Sequence, residues 1–249
     1  MKRFTNIVVT GASSGIGEAL ARDYAAPGIA LALSGRDPVR LHAVADACRA
    51  RGATVDARVI DAADREAMAA WLAGFDAAHP VDLAVANAGI SIDKDNSSLD
   101  DFAIVRKTMD VNIGGVLNTV EPLVRKMMDR KAGQIAIVSS LASFIGLPYS
   151  ASYNASKAAV RVWGESIRYP LKKFGIGVSV VCPGFVATPM TAQAPFPMPF
   201  LMSAERASAI IRRGLERNHA RIAFPIGTKA AVWLGATLPG RWTARLLGA

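Results

Sequence analysis

Tyr153 and Lys157 stand four residues apart in the run Tyr-Asn-Ala-Ser-Lys. On a helix, that spacing puts both side chains on one face, one turn apart. An ammonium beside a phenol favours the phenolate and pulls its pKa down from about 10. A phenol tuned in this way passes a proton to or from an alcohol oxygen. Ser140, thirteen residues before Tyr153, closes a β-branched run and offers a hydroxyl to the same oxygen. Taken alone, Tyr-x-x-x-Lys also describes many ordinary amphipathic helices, so the assignment needs partners elsewhere in the chain.

Two partners are legible nearer the N-terminus. The run Thr10-Gly11-Ala12-Ser13-Ser14-Gly15-Ile16-Gly17 follows an apolar stretch and opens a helical pattern. Gly11 allows a tight turn, Gly15 lets the backbone approach a pyrophosphate, and Gly17 lets the helix pack close to its sheet. The free N–H groups and dipole of the helix start then meet the phosphates. The second partner is Ser34-Gly35-Arg36, at the end of the next apolar run. An NAD site places an acid there for the ribose hydroxyls, whereas Arg36 offers a guanidinium to a 2′-phosphate. The expectation is NADP (NADPH) in preference to NAD. Asp37 reads as a helix cap that points away from the ribose.

The elements that must carry these residues alternate regularly. Apolar runs at 7–10, 29–34, 55–60, 81–86, 135–139, 178–181 and 222–224 read as strands. Helical patterns at 18–26, 37–51, 64–78, 99–130, 152–174 and 203–217 lie between them. Short strands each followed by a helix imply an α/β fold, a single-domain doubly wound parallel sheet with helices on both faces. Ligands of such sheets bind at the carboxyl ends of the strands, at the topological switch point. Every motif above falls at a strand end or on the helix after it.

Composition narrows the function classes. The 249 residues are 51% hydrophobic and 20% charged, which suits one packed domain rather than a disordered chain. Two cysteines, Cys48 and Cys182, form no Cys/His cluster, so no metal site is expected and a reducing, cytoplasmic setting is the simpler reading. The net charge of +9 raises nucleic acid as a partner, but the Lys and Arg are dispersed and form no basic run. No nucleic-acid partner is therefore expected. The N-terminal apolar stretch is too short for a signal peptide, and no stretch reaches the roughly 18 apolar residues of a membrane span.

These residues together resemble the short-chain dehydrogenase/reductase family, in its single-domain subgroup with a Rossmann-type fold. Thr10–Gly17 resembles that family's glycine-rich turn, and Asn87-Ala88-Gly89 its motif after the fourth strand. Asp61 and Ala62 fall where the family holds the adenine, and Pro183, Gly184, Val186 and Thr188 where it holds the nicotinamide. The Ser140–Tyr153 spacing matches, and Asn112 matches the asparagine of the long helix. The resemblance implies hydride transfer between NADP(H) and a carbonyl or secondary alcohol. It makes Tyr153 the proton donor and Ser140 the group that polarises the oxygen. Lys157 would lower the Tyr153 pKa and bond the nicotinamide ribose, and Asn112 would hold a water leading to solvent. Ala86, Ser143 and Ser14 depart from the usual pattern; Ser14 leaves Arg36 as the main argument for NADP. The family also implies a homodimer or homotetramer built on the long helices.

The substrate end and the tail carry weaker signals. Residues 190–218 would cover the substrate. Between Thr188 and Ser203 lie four prolines, two phenylalanines and three methionines, and no charge. Such a cover suits an apolar ketone or aldehyde, unless it packs on its own subunit. The tail, 225–249, carries Lys229, Arg241 and Arg245 and no acid, with Trp233 and Trp242 among small and apolar residues. It reads as docking on the protein itself or a neighbouring subunit, with peripheral membrane contact as the alternative. A catalytically idle NADP-binding sensor or scaffold is the competing function, and epimerisation or dehydration on the same frame a third.

Overall fold

The computed structural model describes residues 2–91, 101–147, 150–192 and 198–237, with backbone alone at 229–231. Leu99 and the tail residues Arg241, Trp242 and Arg245 lie outside the described residues, as do positions 193–197 of the expected cover.

The strands form where β-branched and apolar residues run together: β1 (Asn6–Val9), β2 (Ala30–Gly35), β3 (Thr54–Val59), β4 (Leu83–Ala86), β5 (Gly133–Val138), β6 (Ile176–Pro183) and β7 (Arg221–Phe224). All are parallel, in the order β3-β2-β1-β4-β5-β6-β7. The order reverses between β1 and β4, and a crevice opens there at the carboxyl ends.

The helices are α1 (Gly15–Tyr24), α2 (Pro38–Arg49), α3 (Arg65–Ala78), α4 (Phe102–Met109), α5 (Gly115–Arg130), α6 (Ala151–Lys172), α7 (Ala204–Glu216) and α8 (Ile226–Thr237). Asp37, Asp64 and Ser203 cap α2, α3 and α7 by accepting from the N–H three residues on, at 3.0, 3.0 and 3.2 Å. Cores fill both faces of the sheet. On one, Leu20, Leu41, Val44, Ile211 and Leu215 of α1, α2 and α7 are buried. On the other lie Met68, Leu72, Leu123, Met127 and Val160 of α3, α5 and α6.

The expected helix at 99–130 is interrupted. Between α4 and α5 the chain makes a π-helical turn, Asp110–Gly114, with Asn112 fully buried inside it. Among the described residues, no helix is long and apolar enough to cross a membrane.

Candidate active site

Thr10 ties the switch point together. Its buried hydroxyl accepts from the Asn87 and Ala88 N–H groups at 3.1 and 3.2 Å and reaches Val85 O at 3.4 Å. The Asn87 carboxamide donates back to Thr10 O at 2.9 Å and Gly11 O at 3.2 Å. The motif alone gives Thr10 no such role; its signal is a β-branched hydroxyl ending a strand just before the glycine turn.

This lacing sets the glycine requirements. Gly11 has φ +65, and a Cβ there would lie 2.8 Å from Ala88 Cα. A Cβ on Gly17 would lie 2.3 Å from Gly11 O and 2.6 Å from Asn87 Nδ2. Gly17 is thus needed by the turn itself, where the sequence suggested helix–sheet packing. Ser13, Ser14, Gly15 and Ile16 line a cleft, so the positive end of α1 faces it.

The cleft has a volume of about 740 Å³. Of the residues assigned from sequence, Gly17 and Asn112 stand behind its wall; every other one, from Gly11 to Thr188, lines it. Ile60, Ile90, Val111, Val138 and Ser139 also line it and carry no motif. At one end, Arg36 Nη1 lies 3.9 Å from Asp61 Oδ2, both side chains about half exposed. Asp37 caps α2, accepting from Arg40 N and Nε at 3.0 and 2.8 Å, but both residues line the cleft, so Asp37 does not point clear of it as expected. Within the expected cover, Met190 and Thr191 border the cleft, whereas α7 packs on α1 with Ala207, Ile211 and Leu215 buried.

At the other end, β5 delivers Ser140 and α6 delivers Tyr153 and Lys157. Ser140 caps a short 3-10 turn, Leu141–Phe144, accepting from Ala142 N at 3.1 Å. Ser143 is buried in that turn, whose helical backbone accommodates a side chain. Ser139 Oγ donates to Lys157 O at 2.7 Å and fixes α6 to the strand end.

The electrostatics differ from the sequence expectation. Burial pushes the Tyr153 phenol above its ordinary value, and the hydroxyl of Ser140, bonded to it, pulls the other way without cancelling the rise. The Lys157 ammonium donates to Val138 O at 2.9 Å and lies 5.8 Å from the Tyr153 ring centre. It therefore does not offset the phenol's desolvation. Burial lowers Lys157 itself to about 8, from an ordinary value of 10.5. The folded state disfavours the charged amine, so this cost is full below pH 8 and vanishes above about 10.5. Lys157→Met should consequently gain on the wild type by about 3 kcal/mol at pH 7 relative to pH 10.5. Denaturant melts of both proteins across that range check the slope; parallel curves would contradict it.

Asn112 acts as a brace. Its Oδ1 accepts from Ile90 N at 2.8 Å, and its Nδ2 donates to Ile90 O and Ser156 Oγ, each at 2.9 Å. Three of the four hydrogen-bonding positions of its carboxamide are thereby used within the protein. A Cβ on Gly89 would lie 3.1 Å from both Asn112 Oδ1 and Lys157 Nζ, so the brace adjoins the amine. Asn112→Ala removes the three hydrogen bonds of a fully buried side chain and should cost about 2–4 kcal/mol in a urea melt. A loss below about 1 kcal/mol would show that the loop and α6 hold without it.

Known proteins fit this geometry. The family model for short chain dehydrogenases matches residues 5–196. An uncharacterized oxidoreductase of Myxococcus xanthus is 36% identical over 237 residues, covering 95% of this chain and 93% of that protein. A short-chain dehydrogenase from Sphingobium yanoikuyae, solved in complex with NADPH, superposes with a TM-score of 0.81 at 22% identity, over 95% of this chain and 97% of its own. One from Mycobacterium paratuberculosis, bound to NAD, also reaches 0.81, at 24% identity over 91% and 98%. With a matching model over most of its length and a relative this similar, the chain belongs to the short-chain dehydrogenase family of oxidoreductases, which act on CH–OH and C=O groups.

Proposed function

We propose that this protein is an NADP(H)-dependent oxidoreductase that interconverts an apolar ketone or aldehyde and its alcohol. The observation that carries the reading is one cleft with two ends. The glycine turn and the start of α1 face one part of it, and Ser140, Tyr153 and Lys157 face another. A dinucleotide fits the donors present: helix-start N–H groups at Ser14, Gly15 and Ile16 for the pyrophosphate, and Arg36 for a 2′-phosphate. Asp61 and Ala62 would flank the adenine. Asn87, Ala88 and Gly89 would floor the middle, and Pro183, Gly184, Val186 and Thr188 would hold the nicotinamide end.

The bound nicotinamide supplies or accepts the hydride. The protein's own part is to orient and to move a proton. In reduction, the Tyr153 hydroxyl donates to the carbonyl oxygen while Ser140 hydrogen-bonds the same oxygen. Burial keeps the phenol protonated at neutral pH, which suits a donor. Below pH 8 Lys157 also carries its proton, so a positive charge stands within reach of the developing phenolate. Met190 at the rim supplies an apolar, adaptable contact for the substrate.

A panel of apolar ketones and aldehydes with NADPH tests the reading, followed by loss of the reduced-nicotinamide absorbance. Turnover of at least one supports it. Tight NADPH binding with no turnover of any would make the protein a sensor instead.

A further inference from the structure

The short turn Leu141–Phe144 is held at both ends. At its start, Ser140 Oγ accepts from Ala142 N at 3.1 Å, which leaves the hydroxyl proton for the bond to Tyr153. At its end, the Phe144 ring meets two guanidinium groups. Arg161 of α6 places its Cζ 4.3 Å from the ring centre, and Arg221 of β7 places its own 5.1 Å away. One carboxylate joins them: Glu165 accepts from Arg161 Nη1 at 3.2 Å and from Arg221 Nε at 2.8 Å. Arg161 Nη2 also donates to Ser143 O, inside the turn, at 3.4 Å.

Arg161 is a costly residue for this place. Its side chain is only 17% exposed, and among the described residues its Nε is buried with no acceptor. A buried donor left unpaired gives up its bond to water for nothing. Apolar side chains of similar volume often replace a buried ion pair with no loss of stability. Stability alone therefore gives little reason for a guanidinium here, and position gives a better one. Arg161 lies eight residues beyond Tyr153 on the same helix, about two turns along. It thus ties the helix that carries the phenol to the turn that carries Ser140. A planar fork that lies over a ring while it binds a carboxylate fixes the ring's place as well as its contact.

We infer that Arg161 is a positioning residue, which clasps Phe144 against α6 and so keeps the Ser140 hydroxyl aimed at the oxygen it shares with Tyr153. The inference rests on the proposed function, in which both hydroxyls meet the substrate oxygen. Without the guanidinium, Phe144 is released, the turn loosens, and the Ala142 N–H no longer orients Ser140 Oγ.

The test is a double-mutant cycle. Arg161→Met keeps an unbranched stem and removes the fork. It should lower kcat by at least about tenfold, since small misplacements of a reacting group carry penalties of this size. NADPH affinity should stay within about twofold of wild type, and the urea midpoint should be no lower. In a Ser140→Ala background the same substitution should change the residual kcat by less than about twofold, because the group it positions is gone. Unchanged kcat in the single variant overturns the inference. So does an undiminished loss in the Ser140→Ala background, or a loss matched by falls in stability and NADPH affinity. Amide hydrogen exchange over residues 140–144 reads the same clasp without substrate. Arg161→Met should speed that exchange by about tenfold and leave β5 unchanged, and equal rates overturn the inference. A wild type that turns over no carbonyl fails the proposed function instead, and the exchange rates still decide whether Arg161 holds the turn.

Discussion

Tyr153→Phe should lower kcat by about two to four orders of magnitude while NADPH affinity stays within about threefold. The ring stays and only the hydroxyl goes. What is lost is the proton delivered to the substrate oxygen and the bond with Ser140. Phenylalanine has the same shape, so the packing of α6 against the strand end is kept; that packing rests on the bond from Ser139 Oγ to Lys157 O and on the Asn112–Ser156 bond. A loss in kcat without a matching loss in binding separates proton delivery from assembly of the site. Turnover within about tenfold of wild type would place the proton on another group and remove Tyr153 from the mechanism.

Spacing along the chain reads proximity well and burial poorly, and Tyr153 shows both. Four residues on a helix brought Lys157 to the same side of α6, but nothing local says that Val138 O would take its ammonium from across 19 residues. Desolvation then outweighs the cation, and the phenol shifts up instead of down. Asn112 has the same history. Its partners Ile90 and Ser156 lie 22 and 44 residues away, and a π-helical turn inside an otherwise regular pattern has no signature in hydrophobic periodicity. By contrast, the strands, the Asp37, Asp64 and Ser203 caps and the glycine turn depend on neighbours within a few residues, and each stands where its local signal puts it. Even there the reason can differ: Gly17 avoids Gly11 O, a contact closed by the turn rather than by the sheet.

Under the proposed function, Arg36→Asp should abolish a preference for NADPH over NADH and reverse it. Arg36 closes the end of β2 and lines the cleft where the adenosine ribose would lie. Its guanidinium is 3.9 Å from Asp61, so it is held at the cleft edge without being consumed by a tight ion pair. A half-exposed pair at that distance contributes at most about 1 kcal/mol, so the substitution should leave the fold intact. A charge-assisted bond to a 2′-phosphate is worth roughly 1.5–3 kcal/mol, or about tenfold to a hundredfold in favour of NADPH. The substitution removes that bond and sets a second carboxylate near Asp61, which repels a phosphate dianion and can accept from a bare ribose diol. Comparing kcat/KM for both cofactors at one ionic strength measures the swing, and raising the salt should shrink the wild-type preference, because an exposed phosphate contact is screened. If the wild type uses NADH as well as NADPH, Arg36 serves only its contact with Asp61 and selects no cofactor.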